Sequence, residues 1–271
     1  MQKIRNLRVY YIGVLTLTLL ATLLRTLALT LSFDRGNGYF RAGTGLPIAL
    51  SVLLAVGISA VLLFPVLLRD RVPTVNMPSS PLAHASSILC AALFFTAFIS
   101  TCTAKRSVSL PSLLWLVGIL TLLAATVYFL AKTPLCPLGM TGKAVFGSLT
   151  LIALACLITV TYFDVATPMN APTKTHLHLA LLAAMLCLLY ELRDAVGAPL
   201  PRMRVAFTAL AFFLGSTVGV SDLIAALAGY SKGFIYLSHD LLLLALALYA
   251  AVRGTADLNA LFQTERNETQ R

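Results

Sequence analysis

The chain has 271 residues, of which 59% are hydrophobic and only 11% are charged, and its net charge is +10. Soluble domains usually carry about 25% charged residues, so this composition excludes an ordinary soluble fold and indicates a membrane protein. The basic residues stand at the ends of apolar runs, which argues against nucleic acid binding and favours contact with a lipid bilayer whose surface is anionic.

Eight apolar runs follow one another along the chain, and each is long enough to cross a bilayer as a helix. They cover residues 9–32, 46–68, 82–104, 111–131, 144–164, 176–196, 204–228 and 234–252. Several are rich in leucine and alanine without strand-like alternation, and proline and glycine mark the breaks between them. We therefore expect an all-α polytopic transmembrane bundle of about eight helices. The sixth helix is the least secure, because Glu191, Arg193 and Asp194 shorten its apolar part.

The distribution of lysine and arginine predicts the orientation of the bundle. If the N-terminus is cytoplasmic, thirteen of the 20 basic residues fall in inner segments and six in outer segments, while Arg25 lies within a helix. This bias favours cytoplasmic N- and C-termini in a bacterial-type cell membrane. We expect residues 1–271 to form a single integral membrane domain, with residues 254–271 as a short cytoplasmic tail.

Ionisable residues inside the apolar runs are the best candidates for a functional site. A charge at the bilayer centre costs at least about 2.5–3.5 kcal/mol, so it usually faces a partner or water. Counted along the predicted helices, several such residues fall at a similar depth near the outer side. The candidate ligand or ion site consists of Arg25, Asp164, Asp222, His239 and Asp240.

Two interpretations of this group remain open. Arg25 could form a structural salt bridge with Asp222 or Asp240 that fixes the register of the helices. Alternatively, because there is one cation for two or three carboxylates, the group could line an outward-facing polar pocket for a small solute, a cation or a proton.

A metal site is a separate hypothesis. His176, His178 and His239, with the nearby aspartates, have suitable chemistry for zinc. However, a helical H-x-H pair places its two rings about 200° apart, which suits one ion poorly. The sequence contains no H-E-x-x-H, no Walker motif and no G-x-S-x-G, and it identifies no cofactor.

Two further features have predicted roles. Tyr190, Glu191 and Asp194 form a polar cluster at the inner end of the sixth helix, either as an interfacial cap or as an inner gate. Gly215 and Gly219 give the seventh helix a small-residue face on which a neighbouring helix, or a second copy of the chain, could pack closely.

Taken together, these features favour a non-enzymatic multi-pass protein that binds or transports a small solute or ion. An intramembrane metal-dependent enzyme and a non-catalytic accessory or scaffold subunit remain as alternatives.

Overall fold

The protein is an all-α helical bundle. A computed structural model describes residues 2–34, 36–67, 80–103, 112–165, 167–229 and 236–269. The helices within these ranges are α1 (Gln2–Leu27, extended by a π-helical segment at Ala28–Ser32), α2 (Gly45–Leu67), α3 (Pro81–Thr103), α4 (Ser112–Leu130), α5 (Met140–Phe163), α6 (Pro172–Ala195), α7 (Pro201–Leu227) and α8 (Leu237–Thr269).

Most of these helices are suited to a bilayer. In the described part of the chain, seven helices contain a stretch that is long and apolar enough to cross a membrane. The protein is therefore a multi-pass membrane protein. The helix that falls short is α4, whose apolar part, Leu114–Leu130, is shorter than the others. The expected weak point, α6, is instead a full 24-residue helix, and Glu191, Arg193 and Asp194 occupy its last turns.

Both ends of the chain are more helical than the apolar runs suggest. Helix α1 begins at Gln2, and α8 continues to Thr269. The segment predicted as a short cytoplasmic tail, residues 254–271, is thus helical as far as Thr269, and its cytoplasmic location stays a prediction. Alanine, leucine, glutamate and arginine in this segment favour helix, and Asp257 anchors it by an ion pair to Arg204.

Helices α7 and α8 lie at the centre of the bundle. About two thirds of their spanning segments are buried, 61% and 67% respectively, against 28–39% in the other spanning helices. Helix α7 packs against α1, α2, α6 and α8, while α3, α4, α5 and α6 follow one another as neighbours from α8 back to α7. Asp222 on α7 and Asp240 on α8 are consequently shielded from lipid.

The small-residue face of α7 packs against α8 of the same chain. A Cβ atom added at Gly215 would lie 3.1 Å from the Ala247 Cβ, and one added at Gly219 would lie 3.0 Å from the Asp240 carbonyl oxygen. The glycines thus allow the close helix contact that their spacing predicts. Within the chain, α8 thus occupies the Gly215–Gly219 face, and association of two copies of the chain stays a prediction.

Consecutive helices run in opposite directions, so polar residues collect at two ends of the bundle. At one end, here called the Arg25 end, α1 and α7 finish while α6 and α8 begin. At the other, here called the Lys132 end, α4 and α6 finish while α3 and α5 begin. Residues far apart in sequence meet at each end.

Candidate functional site

Arg25 and Asp222 form a buried ion pair at the Arg25 end. Arg25 Nη1 donates to Asp222 Oδ1 at 2.7 Å, and Nη2 donates to Oδ2 at 3.1 Å. The two residues are 0% and 2% exposed. Such a bidentate ion pair is the strongest geometry for an arginine and a carboxylate, and it joins α1 to α7.

The rest of the Arg25 guanidinium is also held. Nη1 donates to the Val218 carbonyl at 3.1 Å, and Nε donates to His176 Nδ1 at 3.3 Å. Because the Nδ1 atom accepts, His176 is neutral in this arrangement. Arg25 therefore connects α1, α6 and α7, and its orientation is fixed by three different residues.

Asp240 lies beside this pair on the first turn of α8. Its carboxyl group interacts electrostatically with the Asp222 carboxyl group and with Arg25. The residue is 1% exposed, and neither of its carboxyl oxygens receives a hydrogen bond from a donor among the described residues. The guanidinium thus donates to Asp222 and not to Asp240, and the two neighbouring carboxyl groups can share a proton between them.

The group is closed in this structure. The sequence suggested a polar pocket open to the outside, but Arg25, Asp222 and Asp240 are all buried among α1, α7 and α8. The group can be buried because the Arg25 guanidinium donates its hydrogen bonds to a carboxylate and a carbonyl, so it does not need water as a partner.

Asp164 belongs to a neighbouring cluster built around Tyr236. The Tyr236 hydroxyl donates to the Asp164 carboxylate and lies 3.1 Å from Thr167 Oγ1. Burial raises the pKa of the Tyr236 hydroxyl above its ordinary value, and the Asp164 carboxylate raises it further. Lys174 Nζ donates to the Asp164 carbonyl at 2.8 Å and to the Thr167 carbonyl at 3.2 Å. These contacts fasten the α5–α6 connection to the start of α8.

The three histidines proposed as metal ligands have separate partners. His176 accepts from Arg25, His178 Nε2 lies 2.8 Å from Thr161 Oγ1, and the His239 ring packs edge-on against Tyr236. Among the described residues, no three histidine, cysteine, aspartate or glutamate side chains are placed to hold a metal ion. The described part of the chain therefore gives no support to the alternative of an intramembrane metal-dependent enzyme.

At the Lys132 end, Glu191 is the centre of a second polar group. Lys132 Nζ lies 2.7 Å from Glu191 Oε1, and the Tyr249 hydroxyl lies 2.5 Å from both of these atoms. The Lys132 ammonium also stands 4.4 Å from the centre of the Tyr128 ring. Burial lowers the pKa of Lys132, and the Glu191 carboxylate opposes that shift. This triangle ties α4, α6 and α8 together.

Asp194 takes part in a separate ion-pair network. Arg204 contacts the Asp194 carboxylate and donates to Asp257 Oδ1 at 2.9 Å, while Arg253 lies 3.7 Å from Asp194. Tyr190, predicted to join the same cluster, does not: its ring stacks on Phe207 at 4.9 Å. On a helix, residue 190 points about 100° away from residue 191, so the two side chains face different neighbours.

A cavity of about 600 Å³ opens beside these two groups. Charged residues from four elements line it, together with apolar residues of the α4–α5 connection. The charged lining residues are Lys132, Lys143, Glu191, Asp194 and Arg253. The cavity is of a size typical of small-molecule sites.

Sequence reasoning missed Lys132, Arg204, Tyr249, Arg253 and Asp257 as members of these groups. Lys132, Arg204 and Arg253 lie at the ends of apolar runs, where basic residues serve to predict the orientation in the membrane. Tyr249 looks like an ordinary buried aromatic residue in the sequence. Alternation of helix direction does place the ends of α4, α6 and α8 together. That signal could have grouped Lys132 with Glu191, but the partners of each charge depend on tertiary packing.

Comparison of the chain with protein-family models, with curated proteins and with solved structures gives no match.

Proposed function

We propose that this multi-pass membrane protein binds a proton or a small cation at the Asp222–Asp240 carboxyl pair, and that this binding accompanies the binding or movement of a small solute or ion. The observation that supports the proposal most directly is Asp240, a fully buried carboxyl group without a donor in the described part of the chain.

The balance of charge gives the physical argument. With both carboxyl groups ionised, the group of Arg25, Asp222 and Asp240 carries one excess negative charge in a place that water does not reach. Such a charge is costly in a membrane. One shared proton, or one small cation beside Asp240, removes it. Arg25 then serves as the counter-ion that keeps Asp222 ionised.

The location of the pair adds to the proposal. Asp222 and Asp240 lie on the two most buried helices, α7 and α8, and the charge of the guanidinium is already matched by Asp222. In the orientation that the basic residues favour, this group lies toward the outer side of a bacterial-type cytoplasmic membrane. A local separation of α8 from α1 would open it to that side.

Infrared spectroscopy of the purified protein tests the proposal. The wild-type chain should show the C=O stretch of a protonated buried carboxylic acid, and either added Na⁺ or alkaline pH should remove that band. Asp240→Asn should lack the band. Asp34→Asn, which changes a carboxylate in the α1–α2 loop at the same end of the bundle, should keep it.

A thermal unfolding series supplies a second measurement. If Na⁺ or K⁺ raises the Tm of the wild type relative to N-methyl-D-glucamine, Asp240→Asn should abolish that increase. The proposal is wrong if the wild type shows neither the band nor a cation effect. It is equally wrong if Asp240→Asn and Asp222→Asn fold normally and keep both at full size.

A further inference from the structure

The cavity at the Lys132 end is separate from the Asp222–Asp240 pair, and its lining indicates what it can bind. Its walls come from the start of α3, the end of α4, the connection to α5, the end of α6 and Arg253 in the middle of α8. Pro137, Leu138 and Met140 supply apolar surface. Charged side chains lie on other parts of the wall, so the cavity offers both polar and apolar contacts.

The charges that line the cavity favour an anion. Three cations face two carboxylates, and both carboxylates are already in ion pairs: Glu191 with Lys132, and Asp194 with Arg204. Lys143 is exposed on the lining, and its side chain has no ion pair with the described residues. The excess positive charge is therefore at the surface of the cavity.

The N-terminus of helix α5 also favours an anion in this cavity. Its first turn, with Met140 and Lys143, lies on the cavity wall. The N-cap residue, Gly139, has no side chain to bond the free N–H groups, and the first turn contains no acidic residue. The N-terminus of a helix carries partial positive charge and favours anions.

Lys132 is a rigid cation on the lining. Tyr249 and Glu191 hold its ammonium group at 2.5 and 2.7 Å, and the Tyr128 ring lies beneath it at 4.4 Å. These contacts use two of its three N–H donors, and 14% of the side chain remains exposed. A ligand oxygen would meet a donor whose position is already fixed, which reduces the entropy lost on binding.

We propose that this cavity binds a small organic anion, with a carboxylate or phosphate group placed between Lys132 and Lys143 and an apolar portion against Leu138 and Met140. The anionic group could belong to a free solute or to the headgroup of an anionic lipid, and both sources present the same chemistry. The proposal does not depend on the carboxyl pair at the other end.

Ligand-dependent thermal shift and calorimetry on the full chain in a neutral detergent test this proposal. The probes are inorganic phosphate, glycerol phosphate and hexanoate, each compared with chloride at equal ionic strength. At least one probe should raise the Tm in a saturable manner. Lys143→Gln should weaken its binding by about fivefold, as expected for one partly exposed charge pair.

Arg202→Gln is the matched control, because Arg202 is an exposed cation at the same end of the bundle that does not line the cavity. It should change the Kd by less than about twofold. Lys132 itself is best tested together with its partner, since a lone Glu191 charge would destabilise the fold. The double variant Lys132→Gln with Glu191→Gln should bind the probe at least about tenfold more weakly.

Nanodiscs distinguish the two sources of the anion. Stabilisation by phosphatidylglycerol over phosphatidylcholine that depends on Lys143 would assign the site to a lipid headgroup, whereas stabilisation by a soluble probe would assign it to a free solute. The proposal is wrong if neither has an effect, or if Lys143→Gln and Arg202→Gln reduce binding equally. Asp240→Asn should bind the probe normally, so this result is independent of the carboxyl pair.

Discussion

Arg25 Nη1 lies 2.7 Å from Asp222 Oδ1, although the two residues are 197 positions apart in the chain. Each would be a costly charge in an apolar helix on its own, and together they satisfy one another in a two-pronged contact. The same carboxylate also stands next to Asp240. One ion pair thus holds α1 on α7 and sets the electrostatic environment of the proposed site.

The contribution of this ion pair to stability can be measured by a double-mutant cycle. Arg25→Met should lower the free energy of unfolding by about 3–5 kcal/mol, because it leaves a buried carboxylate unpaired. Asp222→Asn should lower it by less, because Asp240 remains to balance the charge of Arg25. The double variant should lose clearly less than the sum of the two single losses. Denaturant unfolding in detergent micelles provides the measurement. Additive losses would show that the two side chains are not coupled in the membrane-embedded protein.

The sequence supplied most of what is known about this end of the bundle. Helix direction and apolar run length place Arg25, Asp222 and Asp240 at one depth, and the cost of buried charge indicates that they should meet. Neither consideration shows which carboxylate takes the guanidinium. That choice depends on the rotation of α7 and α8 about their axes, which is set by the contact of Gly215 and Gly219 with α8.

A second prediction concerns this helix contact. A Cβ atom at Gly219 would lie 2.6 Å from the Leu244 Cγ and 3.0 Å from the Asp240 carbonyl oxygen. The leucine can change its rotamer but the backbone cannot, so Gly219→Ala should destabilise the fold by about 1–3 kcal/mol. Thermal unfolding in detergent checks this.

Gly13→Ala is the control for Gly219→Ala, because nothing lies within 4 Å of a Cβ atom added there. Alanine is the better helix former, so this change should be neutral or stabilise the fold by up to about 1 kcal/mol. Equal destabilisation by the two substitutions would refute the close contact between α7 and α8.

A third prediction concerns Arg204, which is 1% exposed and contacts both Asp194 and Asp257. Arg204→Met would leave two carboxylates facing one remaining arginine, Arg253, and should cost about 3–5 kcal/mol. Arg41→Met, at an exposed position before α2, should change stability by no more than about 0.5 kcal/mol. Limited proteolysis of the segment after Asn259 would report the same loss, because Asp257 fastens the end of α8 to α7.

The Lys132 end was less accessible to sequence reasoning than the Arg25 end. Charges near helix ends are inexpensive, because they can reach the interface, so Glu191 and Asp194 carried no signal that they had buried partners. The cavity is a property of how four helix ends and the α4–α5 connection pack. No periodicity or motif in a single helix encodes a space of that kind.

The last prediction concerns Tyr236, whose hydroxyl contacts Asp164 and Thr167. Its pKa is raised above the ordinary value of 10 by burial and by the nearby carboxylate. An unfolded chain therefore loses this proton at a lower pH than the folded chain does, so stability from this residue is present below about pH 10 and is lost as the pH rises further.

Tyr236→Phe should lower the Tm at neutral pH, because it removes the hydroxyl that fastens the α5–α6 connection to α8. It should also make the alkaline decline in Tm shallower than in the wild type. Tyr162→Phe, at an exposed position on α5, should change neither quantity. A wild-type decline that Tyr236→Phe leaves unaltered would assign the alkaline sensitivity to another residue.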